Sequence, residues 1–232
     1  MASGHDLRYK WLFSHSAFMQ RLFQSFVQEK FVEDLVFSTL KRVDKSFVTD
    51  TFKEKESDII YTIQFKDSII YIFLLLEFQS TVDKNMSIRF VRCITELYES
   101  FQAKTGSGKL PAVFPILLYN GDAKWTAPFR FEERVEQSIP KEFVPHFRYF
   151  PILVNELPKE SLLTIKNALS AVFYVENLSV AELNTRLDAF FSIIQDENLE
   201  VANLLSAWFN NYLTSIENKG SVDDNIITGI EI

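Results

Sequence analysis

The stretch SDIIYTIQFKDSIIYIFLLLEFQS (57–80) decides how this chain is read. Its two arms, SDIIYTIQF and IIYIFLLLEFQ, are rich in β-branched and aromatic residues, and only KDS separates them, so they are expected to form an antiparallel hairpin. The second arm is almost continuously apolar, as a central strand covered on both faces should be. It stops on a carboxylate and an amide, Glu77 and Gln79. Strand side chains alternate, so these two share a face about 7 Å apart. The first arm opens with Asp58. A two-residue turn at Asp67-Ser68 pairs Lys66 with Ile69 and sets Asp58 opposite Glu77, with Cβ atoms about 5 Å apart. A three-residue turn sets Asp58 opposite Leu76 and on the wrong face unless a bulge corrects it. The register thus decides whether two acids can share one divalent cation.

Upstream, HDLRYKWLFSHSAFMQRLFQSFVQEKF (5–31) carries Leu12, Phe13, Ala17, Leu22, Phe23 and Phe26 at helical spacing. SFVTDTF (46–52) is a short strand candidate. Downstream, VDKNMSIRFVRCITELYESFQAK (82–104) reads as a helix with Met86, Phe90, Cys93, Ile94 and Leu97 on one side, ended by the glycines of TGSGK. PAVFPILLYNG (111–121) and HFRYFPILVNEL (146–157) follow as strands. Beyond Pro158 the segments 160–177, 179–195 and 198–213 each read as one amphipathic helix, and a polar tail runs from about residue 218. The order is helix, three strands, helix, two strands, then helices. It predicts an α/β layered fold with a core over 1–157, a helical extension over 158–217 packed on it, and a tail over 218–232.

The 232 residues suffice for one large domain. A single cysteine, Cys93, excludes an internal disulfide and fits a reducing compartment. No signal-peptide pattern and no apolar run of about 20 residues is present, which predicts a cytoplasmic protein without a membrane anchor. The net charge of −7 argues against a generally basic wrapper of nucleic acid. It leaves room for a metal site, because hard cations such as Mg²⁺ take carboxylates, keep waters and accept phosphate oxygens. Beside such an ion Gln79 could orient a water, although a carboxamide takes no proton at neutral pH.

Other candidates carry two readings. Asp6 caps the first helix or adds a third acidic contact. Lys10 pairs with Asp6 one turn away or reaches a phosphate. Arg89 and Arg92, three apart on the helix after the apolar strand, form a solvated face or contact phosphates. Leu204, Leu205, Trp208, Phe209 and Tyr212 pack on the home domain or on a second subunit. Asn120-Gly121 and Trp125 read as a turn and a core anchor. His15 and His146 have no zinc-like spacing with Cys93. TGSGK lacks the spacing of a phosphate-binding loop, so no nucleotide cofactor is expected.

Six motifs in joint order carry a resemblance: HDLRYKWLFS (5–14), SDIIY (57–61), LLLEFQS (74–80), MSIRFVR (86–92), PILLYNG (115–121) and WTAP (125–128). Over residues 5 to 155 the chain resembles the recombination-promoting nucleases of the PD-(D/E)XK nuclease superfamily. The resemblance implies a restriction-endonuclease-like core: helix, three-strand antiparallel meander, helix, further strands. It implies Mg²⁺-dependent cleavage of DNA (Mn²⁺ as substitute) leaving a 3′-hydroxyl, with Asp58 and Glu77 as cation ligands. Gln79 stands where most of the superfamily has lysine, as is usual in this branch. Double-strand cutting would suit a homodimer. The chain departs from the pattern at Arg8 and Tyr9, where apolar residues are general, and at Cys93, where an aromatic is common. A second expectation keeps the fold without the chemistry: an inactive module binding DNA or a protein partner.

Overall fold

The computed structural model describes residues 4–43, 58–77, 81–106, 108–194 and 196–217. It is a mixed α/β structure whose five strands lie in the order β1 to β5. They are β1 (Leu35–Arg42), β2 (Asp58–Phe65), β3 (Ser68–Glu77), β4 (Val113–Tyr119) and β5 (Phe150–Leu153). β2 pairs antiparallel with both β1 and β3, and β3, β4 and β5 are parallel. Chain contacts divide the residues into two units, 27–155 with the whole sheet, and 3–26 together with 156–232.

The hairpin turns one residue earlier than the sequence suggested. Lys66 and Asp67 form the turn and Phe65 pairs with Ser68, which sets Asp58 opposite Leu75 instead of Glu77. The expected Asp67-Ser68 turn is therefore corrected. Lys66 takes a positive φ of 52°, the sign that two-residue hairpin turns require at their first position. No Gly or Asn-Gly marks this in the sequence. The Lys66 ammonium lies 3.2 Å from Asp34 and 5.2 Å from the Phe65 ring centroid. Gln64 also donates to the Lys66 carbonyl at 3.0 Å.

β1 is a strand the sequence reading missed, and the candidate at 46–52 lies outside the described residues. The strand pattern of LVFSTLKR is broken by a bulge between Val36 and Lys41. Within the bulge the Thr39 hydroxyl donates to the Val36 carbonyl at 2.6 Å and accepts the Gln64 N–H at 2.9 Å. A side chain thus serves a ladder donor that the bulge would leave unmet.

The helix α3 (Met86–Thr105) makes the crossover from β3 to β4 and ends at Gly106 with φ 75°. The crossover is what parallel strands need. One side of α3 is apolar, as expected, and packs on one sheet face. Phe90 meets Phe73 edge-on at 5.9 Å and stacks on Tyr149 at 5.0 Å. Ile60, Leu117, Tyr119 and Trp125 complete that buried cluster, with Cys93 inside it. On the opposite face Phe31 packs against Phe65 and Phe114.

The second unit is helical: α1 (Gly4–Leu12), α2 (Ser16–Phe26), α4 (Lys159–Ile165), α5 (Ala168–Glu176), α6 (Val180–Thr185), α7 (Leu187–Ile194) and α8 (Leu199–Glu217). Three helices read as continuous are each broken in two. The first stops at residues 13–15, where the Ser14 hydroxyl donates to the Trp11 carbonyl, the local bonding by which serine competes with helix. Lys166, at φ 52°, separates α4 from α5, and Arg186 ends α6. Asn167 then opens α5 with a capping box to Ser170. Ala168 to Val175 are buried all round, so α5 is the central helix of this unit.

Glu197 joins α5 to α2. Its carboxylate accepts the Ala168 N–H at 2.6 Å and the Arg21 Nε–H at 2.7 Å, and its second oxygen accepts from Arg21 Nη2. Both side chains are largely buried, so losing the acid strands a cation and a helix N-terminus. Glu197→Ala is expected to lower unfolding stability by about 2–4 kcal/mol, measured by urea denaturation. A pH effect follows from Tyr61, whose phenol burial pushes up to about 12 against the pull of Arg42. Folding favours the neutral phenol, so this contribution is complete below pH 10 and lost as pH rises through about 12. Ultraviolet titration should show this late ionisation, and Tyr61→Phe should flatten the alkaline fall in stability.

Candidate functional site

The parallel strands point their C-terminal ends at one edge of the sheet, where open α/β sheets place ligands. Antiparallel β2 begins at that same edge, so Asp58, its first residue, and Glu77, the last of β3, meet there. Glu77 pairs with Tyr119 of β4. The observed register keeps 58 and 77 on one pleat parity: Asp58 faces Leu75 across the ladder, two before Glu77. They are diagonal neighbours, about 7–8 Å apart between backbones, instead of direct partners. The correction by one turn residue moves Asp58 two positions along β3 and so preserves its face.

That face belongs to α3. Ile60 and Phe73, on the parity of 58 and 77, are in the cluster under the helix with Leu117 and Tyr119. For Asp58 and Glu77 the structure describes the backbone, and Gln79 lies outside the described residues. Among the side chains described, no three His, Cys, Asp or Glu residues group as a metal site.

The turn into α3 is ordered by its own polar groups. Asp83 accepts the Asn85 N–H at 2.8 Å through its side chain and the Met86 N–H at 3.2 Å through its carbonyl. Arg134 donates to Asn85 at 3.0 Å. Arg89 and Arg92 then stand on the first two turns of α3, on one shoulder of the helix. Arg89 is half-buried and Arg92 is exposed, 3.9 Å from Glu96. Asp6 and Lys10 are on α1 in the helical unit, and Lys10 occupies its last turn.

The loop after β4 closes the edge next to Glu77. Tyr119 donates to the Ala123 carbonyl at 2.7 Å and packs edge-on against Trp125 at 4.7 Å. The anchor reading of Trp125 therefore holds. Asn155, just past β5, donates to the carbonyls of Gly121 at 2.6 Å and Ala123 at 3.1 Å. The sequence reading missed Asn155. Its signal is positional: like Asn120, it follows closely on a parallel strand. Tyr149, under this loop, donates to the Pro128 carbonyl at 3.0 Å, and burial raises its phenol far above the ordinary value. Cys93 is buried in the core, and exposed His146 lies 3.6 Å from Glu132, positions that serve packing and surface pairing.

The stripe on α8 is mostly covered within its own unit. Phe209 stacks on Phe190 at 4.6 Å and Trp208 on Tyr212 at 5.4 Å. None of the helices among the described residues is long and apolar enough to cross a membrane.

The chain matches, over residues 3–202, the family described as "Putative transposase, YhgA-like". Among curated proteins of Escherichia coli K12 it is similar to recombination-promoting nuclease RpnC, 28% identical over 120 residues, which is 51% of this chain and 39% of that protein. It is also similar to recombination-promoting nuclease RpnA, 34% identical over 84 residues, or 36% and 28% of the two chains. A third relative is named inactive recombination-promoting nuclease-like protein RpnE, 31% identical over 93 residues, or 40% and 30%. The matched stretches thus span well under half of these relatives' own length. No solved structure matches the chain. Asn155→Ala should free the loop after β4, costing about 1–2 kcal/mol. Hydrogen exchange at Gly121 to Trp125 should rise while the α3 core keeps its protection.

Proposed function

We propose that this chain, which belongs to the YhgA-like transposase family, is a metal-dependent DNA endonuclease with a restriction-endonuclease-like core. The observation that carries this reading is the placement of Asp58 and Glu77 on one pleat parity at the C-terminal edge of the parallel strands. Two relatives named as nucleases support it.

In this reading Asp58 and Glu77 hold Mg²⁺, or Mn²⁺ in its place, and their donor chemistry suits a hard cation. Bound there, the ion would polarise a phosphoryl oxygen and acidify a water. Gln79 orients the attacking water by hydrogen bonding and leaves the proton to another group. Arg89 and Arg92 bind backbone phosphates along the first turns of α3, where the helix N-terminus adds its own positive field. Lys10 is a further phosphate contact on α1, and Asp6 an accessory acid beside it. A homodimer would supply two sites for double-strand cutting.

A second reading keeps the scaffold as an inactive module binding DNA or a protein, and the relative named inactive favours it. Calorimetry with Mg²⁺ or Mn²⁺ separates the two, because an idle scaffold takes up neither at millimolar concentration. Plasmid nicking should require Mg²⁺ or Mn²⁺ and stop with EDTA. Glu77→Gln removes one charge with little change of shape and should slow nicking by about a hundredfold or more. Cleavage that survives Asp58→Ala combined with Glu77→Ala would remove these residues from the site.

A further inference from the structure

Arg134 ends a short 3₁₀ turn (Phe131–Arg134) in the connection from β4 to β5. The turn is anchored to the chain just before β5. The Phe131 N–H donates to the Phe147 carbonyl at 2.8 Å, and Glu132 accepts the Phe147 N–H at 3.3 Å. From this base Arg134 reaches 49 residues back along the chain, where its Nη2 donates to the Asn85 side chain at 3.0 Å. Asn85 is the residue that opens α3.

Arg134 is exposed, and Asn85 is its one polar partner among the described residues. Arg21, Arg92, Arg130 and Arg148 each face a carboxylate at ion-pair distance. Arg134 faces a neutral amide instead. The Asp83 carboxylate, two residues before Asn85, is taken up by the Asn85 N–H. A purely structural tie does not explain the charge. α3 is 20 residues long and has no acid in its first turn, so its N-terminus presents the positive end of the helix dipole. A cation fixed there meets a field of its own sign, and a neutral donor would make the same bond without that cost. An anion brought to this place is attracted by both.

The edge that carries positions 58 and 77 is close by. Met86, which follows Asn85, lies in the same buried cluster as Tyr119, and Tyr119 is the ladder partner of Glu77. All of these residues belong to the unit 27–155. After its bond to Asn85 the planar guanidinium keeps further N–H donors, in a fork that fits phosphate oxygens. In a chain of net charge −7, contacts to a polyanion must come from cations fixed at the site itself.

We propose that Arg134 is a DNA-binding residue of this edge, taking a backbone phosphate while Asn85 fixes its direction. The contact rests on the reading of the edge as a nuclease site, and it comes from the β4–β5 connection instead of from α3.

The test measures binding of a short labelled DNA duplex to the full chain in EDTA, by fluorescence anisotropy over about 50 to 200 mM salt. Each phosphate neutralised contributes about one to the slope of log affinity against log salt. Arg134→Gln keeps a donor for Asn85 and loses the charge. It should lower that slope by about one and weaken binding about fivefold or more at the low-salt end. Arg134→Lys loses the fork but keeps the charge, and should hold the parent's slope. Asn85→Ala removes the tie and no charge, and should hold the slope as well. A role confined to tying α3 predicts otherwise: Arg134→Gln would keep the parent's slope, and any loss of binding would be shared with Asn85→Ala. A parent that binds no duplex, or an Arg134→Gln slope equal to the parent's, overturns the assignment. The metal-free readout keeps this result apart from the nuclease reading, which falls separately if no cation supports nicking.

Discussion

The pairing of Phe65 with Ser68 fixes the rest of the sheet edge. From it the register of β2 on β3 runs without interruption to Asp58 and Leu75. Every position on the two strands is thereby given its pleat parity. A shift by a single residue in one strand would exchange those faces. The turn that sets the register has no glycine, and its Lys66 side chain reaches Asp34 and the Phe65 ring. The chain thus secures its sheet edge from the far end of the hairpin, through a charged residue in an uncommon backbone conformation.

The apolar surroundings of that edge explain how it can be both rigid and polar. Phe73, Phe90 and Tyr149 pack as one aromatic group under α3. The loop beyond β4 is tied by the Ala123 carbonyl, which accepts from both Tyr119 and Asn155, and by the Gly121 carbonyl, which accepts from Asn155. Such ties satisfy the loop backbone without a ladder. The strands supply positions for chemistry, and the aromatic layer keeps those positions from drifting.

Much of this was legible in the sequence because it rested on strong local signals. The arms of the hairpin, the apolar side of α3 and its glycine end, and the strand around PILLYNG could be placed from composition and period alone. β1 was lost because Thr39 and its bulge spoil the alternation on which strand reading depends. Helices were fused where Lys166 adopts a left-handed turn, since lysine gives no warning of that conformation and Asn167-x-x-Ser170 was the one available cue. The turn register was missed for the same reason, a lysine in a place where glycine would have announced it. The shared pleat parity of positions 58 and 77 was legible because parity survives a two-position error in register. Arg8 was visible as a departure from a motif, but its burial depends on α8, some 200 residues away, and no local pattern carries that.

The bulge in β1 has a consequence for how copies of this chain can associate. Among the described strands β1 forms one border of the sheet, and Thr39 occupies part of its bonding edge. The other border, β5, is four residues long and contains Pro151. Both margins are poor templates for a visiting strand. Edge-to-edge stacking through the described strands is thereby disfavoured, even in a protein so rich in phenylalanine.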